Sequence, residues 1–357
     1  MKKYILFCGL LAMVSGMFAQ QPVRDDLPKR YFDEGREMFL NKNYTGAIHS
    51  LNEFLKRSND VQLAVEADYM LVCASFFTGH EEAELQLKDF LDAHPETEHR
   101  NRLCFYIGSC HFNKKEWKRA NFWFEQANVD YLSLPEQEDY TFRYAYAYLQ
   151  NGNKAKARQQ FAALSRHSSK YATPASYYIA YIDFREGEYD KALPVFERLK
   201  SNSEYKEEAA FFLVQGSFVK NELEKTVADG SAYLRSCPNS KNAKEVYRLL
   251  GNSYNRLHDI NSSIQYYEKY LSLEPAPLRE DMYLLGTSYY QTGNYPKAAS
   301  ALEKAASSAD KLGQAACMQL GQCYLNMGAN DKALTAFETA SRVNFDPAVS
   351  EPALYNY

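Results

Sequence analysis

The chain has 357 residues and a formal charge of −4, and it is rich in Tyr (29) and Phe (21) but poor in Trp (2). An ordinary globular chain of this length would form two or three domains, since a single core seldom grows past a few hundred residues, whereas an array of repeats has no such limit. Basic and acidic residues are interspersed, and the balance is mildly acidic, which argues against nucleic acid or an anionic membrane as the main partner.

The first 19 residues have the pattern of a secretory signal. Lys2 and Lys3 precede an apolar run over 4–18, and the small residue Ala19 follows it. The run is shorter than the ~20 residues that a membrane-spanning helix needs, so we expect cleavage after Ala19 or Gln20 rather than a retained anchor. Residues 20–27 then form a short linker. We therefore expect no integral membrane span and export to the periplasm or the outer membrane of a Gram-negative type of envelope.

From residue 28 onward, small residues recur at a nearly fixed spacing of 34 to 37 residues, in two columns twelve residues apart. The first column is Ala47, Ala83, Ala120, Ala157, Ala192, Thr226, Ser263, Ala298 and Ala333. The second is Gly35, Leu71, Gly108, Ala145, Ala180, Val214, Gly251, Gly286 and Gly321. A period of this length is typical of stacked helical repeats. It predicts about nine helix–turn–helix units over 28–347.

The repeat is clearest between Met282 and Ala305. Two antiparallel helices approach closely only where their contact residues lack bulk, so we expect Gly286 in the first helix to face Ala298 in the second. Leu302 fills the space beside them. Gly293 is expected to end the first helix in the left-handed conformation that glycine adopts easily.

These residues resemble the tetratricopeptide repeat, and the resemblance covers nearly the whole chain from about Pro28 to Pro347. It implies an all-α fold, a right-handed superhelical α-solenoid of about nine repeats. It also implies that one face of the first helices lines a concave groove for extended peptides or partner helices.

Three parts of the chain depart from the pattern. In the sixth repeat, Val214, Thr226 and Gly230 replace the expected small, small and large residues, which makes this repeat the expected weakest joint. In the second repeat, Leu71 stands in the glycine column. Residues 348–357 are similar to the opening turns of another first helix, without its partner. We expect either that the chain is a fragment of a longer protein or that this last face docks onto something.

The seven cysteines do not have the arrangement of a disulfide framework. Cys104 and Cys110 are six residues apart on one predicted helix, as are Cys317 and Cys323. Six residues rise ~9 Å along a helix, further than a disulfide reaches. Cys73, Cys110 and Cys323 share one column of the repeat and are expected to be small packing residues.

Motifs that would indicate an enzyme are missing from the sequence. It has no glycine-rich phosphate loop, no nucleophile elbow and no His-Glu-x-x-His helix. The histidines are scattered, without the spacing of a metal site. We therefore expect a protein that is not an enzyme and needs no cofactor.

The groove face of the first helices is predicted by counting i, i+4 and i+7 in each repeat. It contains Phe105, Phe142, Tyr146, Tyr177, Tyr181, Phe184, Phe211, Arg248, Asn252, Asn255, Tyr283 and Tyr290. Most are aromatic, with a polar step in the seventh repeat. The amides there can donate and accept hydrogen bonds along an extended backbone. In the fifth repeat the alternative is that Tyr177, Tyr181 and Phe184 form the core instead.

Two functions follow from this surface. The first is a scaffold that holds protein or peptide segments in the groove, in envelope assembly, transport or division. The alternative is a glycan or peptidoglycan module in which Tyr146 and Tyr181 stack on sugar rings. A clamp for chaperone carboxyl termini is not expected, because the corresponding side chains are mostly apolar apart from Arg248.

Overall fold

The computed structural model describes residues 26–166, 169–343 and 345–357. Residues 1–25, which include the predicted signal, lie outside this part. The described chain contains nineteen α-helices and no strand, so the predicted all-α solenoid class is confirmed. It divides into two compact units, one up to Gln160 and one from Phe161 to Tyr357. Within the described ranges, no helix combines the length and apolarity needed to cross a bilayer.

The first unit contains four first helices and their partners. Its elements are α1 (Leu27–Leu40), α2 (Tyr44–Arg57), α3 (Val61–Phe77), α4 (Ala83–Ala93), α5 (Arg100–Asn113), α6 (Trp117–Glu125), a 3₁₀ turn (Val129–Tyr131) and α7 (Leu134–Gln150). α8 (Lys154–Ser165) spans the division between the units. Each first helix packs on its own second helix, from α1 on α2 to α5 on α6, and each second helix packs on the next first helix.

The second unit repeats the same arrangement. Its helices are α9 (Ala172–Arg185), α10 (Tyr189–Leu199), α11 (Lys206–Val219), α12 (Leu223–Ser236), α13 (Ala243–Arg256), α14 (Ile260–Leu273), α15 (Arg279–Gln291), α16 (Tyr295–Ala305), α17 (Lys311–Asn326), α18 (Asn330–Arg342) and α19 (Pro347–Asn356). The final helix α19 packs on both α17 and α18. Gln314, which is buried in α17, helps to hold it, because its side-chain oxygen accepts from the Asp346 backbone amide at 2.8 Å.

The small-residue columns mark the tight contacts between paired helices. Every member of the Ala47 to Ala333 column is buried. A methyl group at Gly286 would lie 2.7 Å from Leu302 Cγ, and one at Gly321 would lie 2.6 Å from the ring of Phe337. The glycines are therefore places where a large side chain of the second helix lies directly on the backbone of the first.

A single residue in the left-handed conformation occurs in the turn of every pair. These residues are Lys42, Gly79, Lys115, Gly152, Gly187, Asn221, His258, Gly293 and Gly328, with φ between 60° and 83°. Four of the nine carry a side chain, so the turn does not require glycine. The expectation for Gly293 is confirmed, with φ of 76°.

The second repeat corrects the predicted register. Its helices α3 and α4 are joined by five residues, 78–82, where every other pair is joined by three. Counted back from the left-handed residue, Ala74 and not Cys73 corresponds to Cys110, and Val72 and not Leu71 takes the glycine column. Leu71 and Val72 are both half-buried. The small residue Ala83 follows the left-handed Gly79 by four positions, whereas the corresponding residue of every other pair follows by five.

In the sixth repeat the small and large residues are exchanged between helices. Gly230 lies inside the continuous helix α12, and a methyl group there would be 2.9 Å from Leu250 Cδ2. Leu250 of α13 is fully buried and fills the space that a large residue occupies in other repeats. Glycine at position 230 therefore leaves the space that the Leu250 side chain occupies.

The six cysteines in the described part of the chain are free thiols. Cys73 and Cys323 are buried, whereas Cys110 is half-buried. Burial raises the pKa of the Cys73 thiol to about 12 and that of the Cys323 thiol to about 11. These thiols are inert packing groups at neutral pH, because the thiolate is the reactive form.

Neighbouring repeats are tied by a recurring Glu–Tyr–Lys contact. A tyrosine of a first helix donates to a glutamate of the preceding second helix, and a lysine lies over the tyrosine ring. The three sets are Glu125, Tyr148 and Lys156 in the first unit, and Glu268, Tyr289 and Lys297, then Glu303, Tyr324 and Lys332, in the second. The contact supplements the apolar interface with a directional hydrogen bond.

Candidate functional site

A cleft of about 860 Å³ in the first unit is formed mainly by the first helices α1, α3, α5 and α7. We call it the unit-1 cleft. Its walls include Arg36, Phe39, Leu40, Tyr44, Glu66, Tyr69, Phe77, His99, Arg102, Tyr106 and Glu136. A volume of this order is within the range of ligand sites in proteins.

One end of the unit-1 cleft is apolar and open. Leu40 is 70% exposed and Phe77 is 42% exposed. Phe77 stacks on Tyr44, with ring centroids 4.5 Å apart. Tyr44 follows the turn after α1 that contains the left-handed residue Lys42, and Phe77 is the last residue of α3. This arrangement places the two rings beside each other. Large apolar groups exposed in a cleft are characteristic of a surface that binds another molecule.

The polar end of the unit-1 cleft is a hydrogen-bonded network that adjoins the apolar end, since the ring centroids of Tyr106 and Phe77 are 5.3 Å apart. Arg102 Nη1 donates to the Tyr69 hydroxyl at 3.2 Å, and Arg102 Nε lies 3.0 Å from Glu136 Oε1. The Tyr106 hydroxyl donates to Glu136 at 2.7 Å. Tyr69 in turn stacks on the imidazole of His99, with centroids 3.6 Å apart. The network holds the rings of both tyrosines in fixed positions along the wall.

The charges of this network are set by burial and by hydrogen bonds. Burial would raise the pKa of Glu136, but hydrogen bonds from Ser133 and Tyr106 and the charge of Arg102 outweigh it and lower that pKa. Burial lowers the pKa of His99. Burial raises the pKa of Tyr69 and Tyr106 well above the usual range. At neutral pH this end therefore carries the Arg102–Glu136 ion pair and two neutral hydroxyls.

The predicted groove residues of the first unit differ in how deeply they are buried. Phe105 is only 3% exposed and packs between Phe124 and Tyr140 in the core, so it does not line an open groove. This assignment is corrected: the wide ring fills the contact between α5 and its neighbours. Phe142 and Tyr146 are half-buried. The predicted groove began at the third repeat and named no residue of α1 or α3, so it did not include Tyr69.

In the fifth repeat, the alternative packing role describes two of the three aromatic residues. The rings of Tyr177 and Phe184 pack edge-on against Phe196 within the core cluster between α9, α10 and α11. Among the aromatic rings of the described residues, Tyr181 packs against that of Phe212 on α11, with centroids 5.8 Å apart. All three are half-buried. Tyr181 is thus the member of this trio with the weakest packing role.

The predicted polar step of the seventh repeat is present, but its donors are used internally. Asn252 Nδ2 donates to the Arg248 carbonyl at 3.1 Å and to Asp281 Oδ1 at 3.3 Å. Asn255 Nδ2 donates to the Ser288 hydroxyl at 2.9 Å. The amide oxygens remain as acceptors for a partner. Arg248 is paired with Glu245 at 2.6 Å and lies 3.6 Å from Asp281, so its charge is already compensated.

The remaining predicted residues flank the same helices. Phe211, Tyr283 and Tyr290 are half-buried, and Tyr290 packs edge-on against Tyr295. Among the described residues, no group of three or more His, Cys, Asp or Glu side chains is arranged to hold a metal ion.

Comparisons with known proteins agree with this repeat architecture. A family model described as "Tetratricopeptide repeat" matches residues 142–207, and one described as "Anaphase-promoting complex, cyclosome, subunit 3" matches residues 256–340. A search of curated proteins found no match. Close pairing of helices through small residues, with one left-handed turn residue in each pair, defines a helical repeat protein. The matched stretches and this helix pairing support a protein of the tetratricopeptide repeat family.

Solved structures with a related fold are distant in sequence. A tetratricopeptide repeat protein from Parabacteroides merdae is 16% identical, with a TM-score of 0.42, and the match covers 74% of this chain and 99% of that chain. PilF of Pseudomonas aeruginosa is 17% identical, with a TM-score of 0.45 and coverages of 62% and 97%. Yeast Tom70 is 13% identical, with a TM-score of 0.34 and coverages of 93% and 95%.

Proposed function

We propose that the chain is a non-enzymatic scaffold that binds a segment of another protein in the unit-1 cleft. The observation that carries this proposal is the pairing of an open apolar end, at Leu40 and Phe77, with a fixed polar end at Arg102 and Glu136. Tetratricopeptide repeat proteins are generally interaction scaffolds, and aromatic side chains with an arginine are the residue types that dominate binding energy at protein interfaces.

The physical roles of the two ends differ. A partner side chain that covers Leu40 and Phe77 removes their exposed apolar surface from water. Each Å² of apolar surface buried in this way contributes roughly 25 cal/mol to the free energy of binding. The polar end limits the orientations in which a partner segment fits, because its internal hydrogen bonds hold the side chains of Arg102 and Glu136 rigid. In the second unit, the free amide oxygens of Asn252 and Asn255 can accept from the backbone of an extended segment.

A photo-crosslinking amino acid at Leu40 tests the proposal in cells that express the protein. The matched control places the same group at Leu85, which is similarly exposed on α4 but does not line the cleft. We expect a discrete protein adduct at Leu40 that disappears when Phe77→Ser is added, and none at Leu85. Equal adducts at both positions, or none at either, would contradict a specific cleft partner.

A glycan partner is the alternative function. The rings that motivated it are engaged by other rings: Tyr146 packs edge-on against Phe112 and Trp117, and Tyr181 against Phe212. We favour the protein partner for this reason. Co-sedimentation with purified peptidoglycan, lost in the Tyr146→Ala and Tyr181→Ala double variant, would instead support the glycan.

We also propose that the protein is exported to the periplasm or the outer membrane, where it would act in envelope assembly, transport or division. The support is the sequence of Lys2 and Lys3, the apolar run over 4–18 and Ala19. Amino-terminal analysis of the protein from its own cells should begin at Gln20 or Gln21, and the protein should fractionate with the envelope. A chain that retains residues 1–19 in the cytoplasm would refute export.

A further inference from the structure

A second pocket of the first unit, about 480 Å³, is formed by α4, α5 and α6. We call it the basic pocket. It is lined by Lys88, His111, Lys118, Arg119, Phe122 and Trp123. None of these residues lines the unit-1 cleft. Five of the six come from the second helices α4 and α6, so this surface is separate from the proposed cleft for partner segments.

The lining of the basic pocket carries three cationic side chains and no carboxylate. Lys118 makes no ion pair within the described part of the chain, and Arg119, which is largely exposed, pairs with Glu116 at 3.3 Å. Lys88 Nζ donates to Glu84 Oε1 at 2.5 Å. The three cations outnumber the two carboxylates that contact them, Glu84 and Glu116. The chain as a whole, in contrast, has a formal charge of −4. An excess of positive charge at one pocket of an acidic protein favours an anionic partner.

Two aromatic side chains complete the basic pocket. Phe122 is 56% exposed, and its ring meets Trp123 edge-on at 5.7 Å. Lys88 Nζ lies 5.6 Å from the centroid of the Trp123 ring, a cation–π contact that holds the indole in place. A cation-rich rim around an exposed aromatic ring is complementary to a ligand with both negative charge and an apolar group.

We propose that the basic pocket binds an acidic segment of a partner protein that also carries an apolar side chain. The carboxylates of the segment pair with Lys118 and Arg119, and the apolar side chain covers Phe122. A protein segment provides both features in one short stretch. The proposal does not depend on the unit-1 cleft, because the two surfaces share no lining residue.

The fluorescence of Trp123 provides a direct assay. The chain has two tryptophans, so Trp117→Phe leaves Trp123 as the sole reporter. The probe is a synthetic peptide of glutamates interrupted by single leucines. We expect a saturable change in Trp123 emission that weakens as salt is added. In the Lys118→Glu and Arg119→Glu double variant we expect about tenfold weaker binding, since both contacts become repulsive.

Three controls make the result decisive. The Lys269→Glu and Lys304→Glu double variant changes the net charge equally at exposed sites elsewhere and should bind normally. A peptide with glutamine in place of glutamate should not bind. The cleft variant Leu40→Ser should bind normally, which separates this test from that of the proposed function. Equal binding by the two double variants, no saturable binding, or a response to phosphatidylglycerol vesicles but not to the peptide would each overturn the proposal.

Discussion

The contact between Gly286 and Leu302 offers a sharp test of the helix pairing. A methyl group added at Gly286 would lie 2.7 Å from Leu302 Cγ and 2.9 Å from Cδ2, inside van der Waals contact. Leu302 is fully buried, so any movement of its side chain changes its packing against the core. Gly286→Ala therefore forces either an altered rotamer of Leu302 or a separation of α15 from α16.

The expected magnitude combines two opposed effects. Replacing a helical glycine by alanine favours the helix by about 1 kcal/mol, whereas overpacking a tight contact costs about 1 to 3 kcal/mol. Gly286→Ala should therefore lower the free energy of unfolding by about 1 kcal/mol. In a Leu302→Ala background the clash with Leu302 is gone, and only the 3.3 Å approach to the Ala298 carbonyl remains, so the same change should be nearly neutral.

Gly293→Ala is the matched control, because it adds the same methyl group for a different reason. Gly293 has φ of 76° and no atom within 4 Å of the added carbon. Its expected destabilisation of about 1 to 2 kcal/mol comes from the left-handed backbone alone. It should therefore be independent of Leu302→Ala.

Urea unfolding followed by circular dichroism, together with hydrogen exchange of the α15 and α16 amides, measures both cycles. The local exchange is needed because repeat arrays do not always unfold as one unit. An additive cycle for Gly286 and Leu302, or equal coupling for Gly293 and Leu302, would refute the assigned contact.

Three further predictions concern the left-handed turn residues, the hydrogen bond between neighbouring repeats and the ionisation of a half-buried glutamate. Lys115→Gly should raise the free energy of unfolding by about 1 kcal/mol, since Lys115 is left-handed with φ of 60°, whereas Lys269→Gly in helix α14 should lower it by about 1 kcal/mol; a loss at both sites would contradict the turn geometry. Tyr289→Phe and Glu268→Gln should each lower it by about 0.5 to 1 kcal/mol, and their double variant by less than the sum, because they share one hydrogen bond of 2.7 Å. Burial opposes ionisation of Glu84, but hydrogen bonds from Lys114 and Lys88 lower its pKa to about 2. Its contribution is therefore present above the unfolded pKa near 4.5 and is lost as the pH falls toward 2. Denaturation at pH 6 and pH 2 should show wild type losing about 1 kcal/mol more than Glu84→Gln, after allowance for solvent screening; parallel losses would exclude this contribution.

The candidate sites were less predictable than the fold. The turn of the second repeat is two residues longer than the others, and one residue of register turns a helical side chain by about 100°. The predicted groove began at the third repeat, where Phe105 is only 3% exposed, and named no residue of the second repeat, where Tyr69 lines the unit-1 cleft. The face at i, i+4 and i+7 also borders the next repeat, and periodicity alone does not separate a half-buried ring such as Tyr177 from an exposed one.

The sequence by itself determined that helices pair, how many pairs form and where most pairs are tightest, because those properties depend on small residues at a short, regular spacing. Only the tertiary structure decided which surfaces are available for binding. Arg102 and Glu136 meet across two first helices, and Lys88 joins Lys118 from thirty residues away. Such clusters depend on how adjacent helices align, and the spacing of residues along one helix does not contain that information.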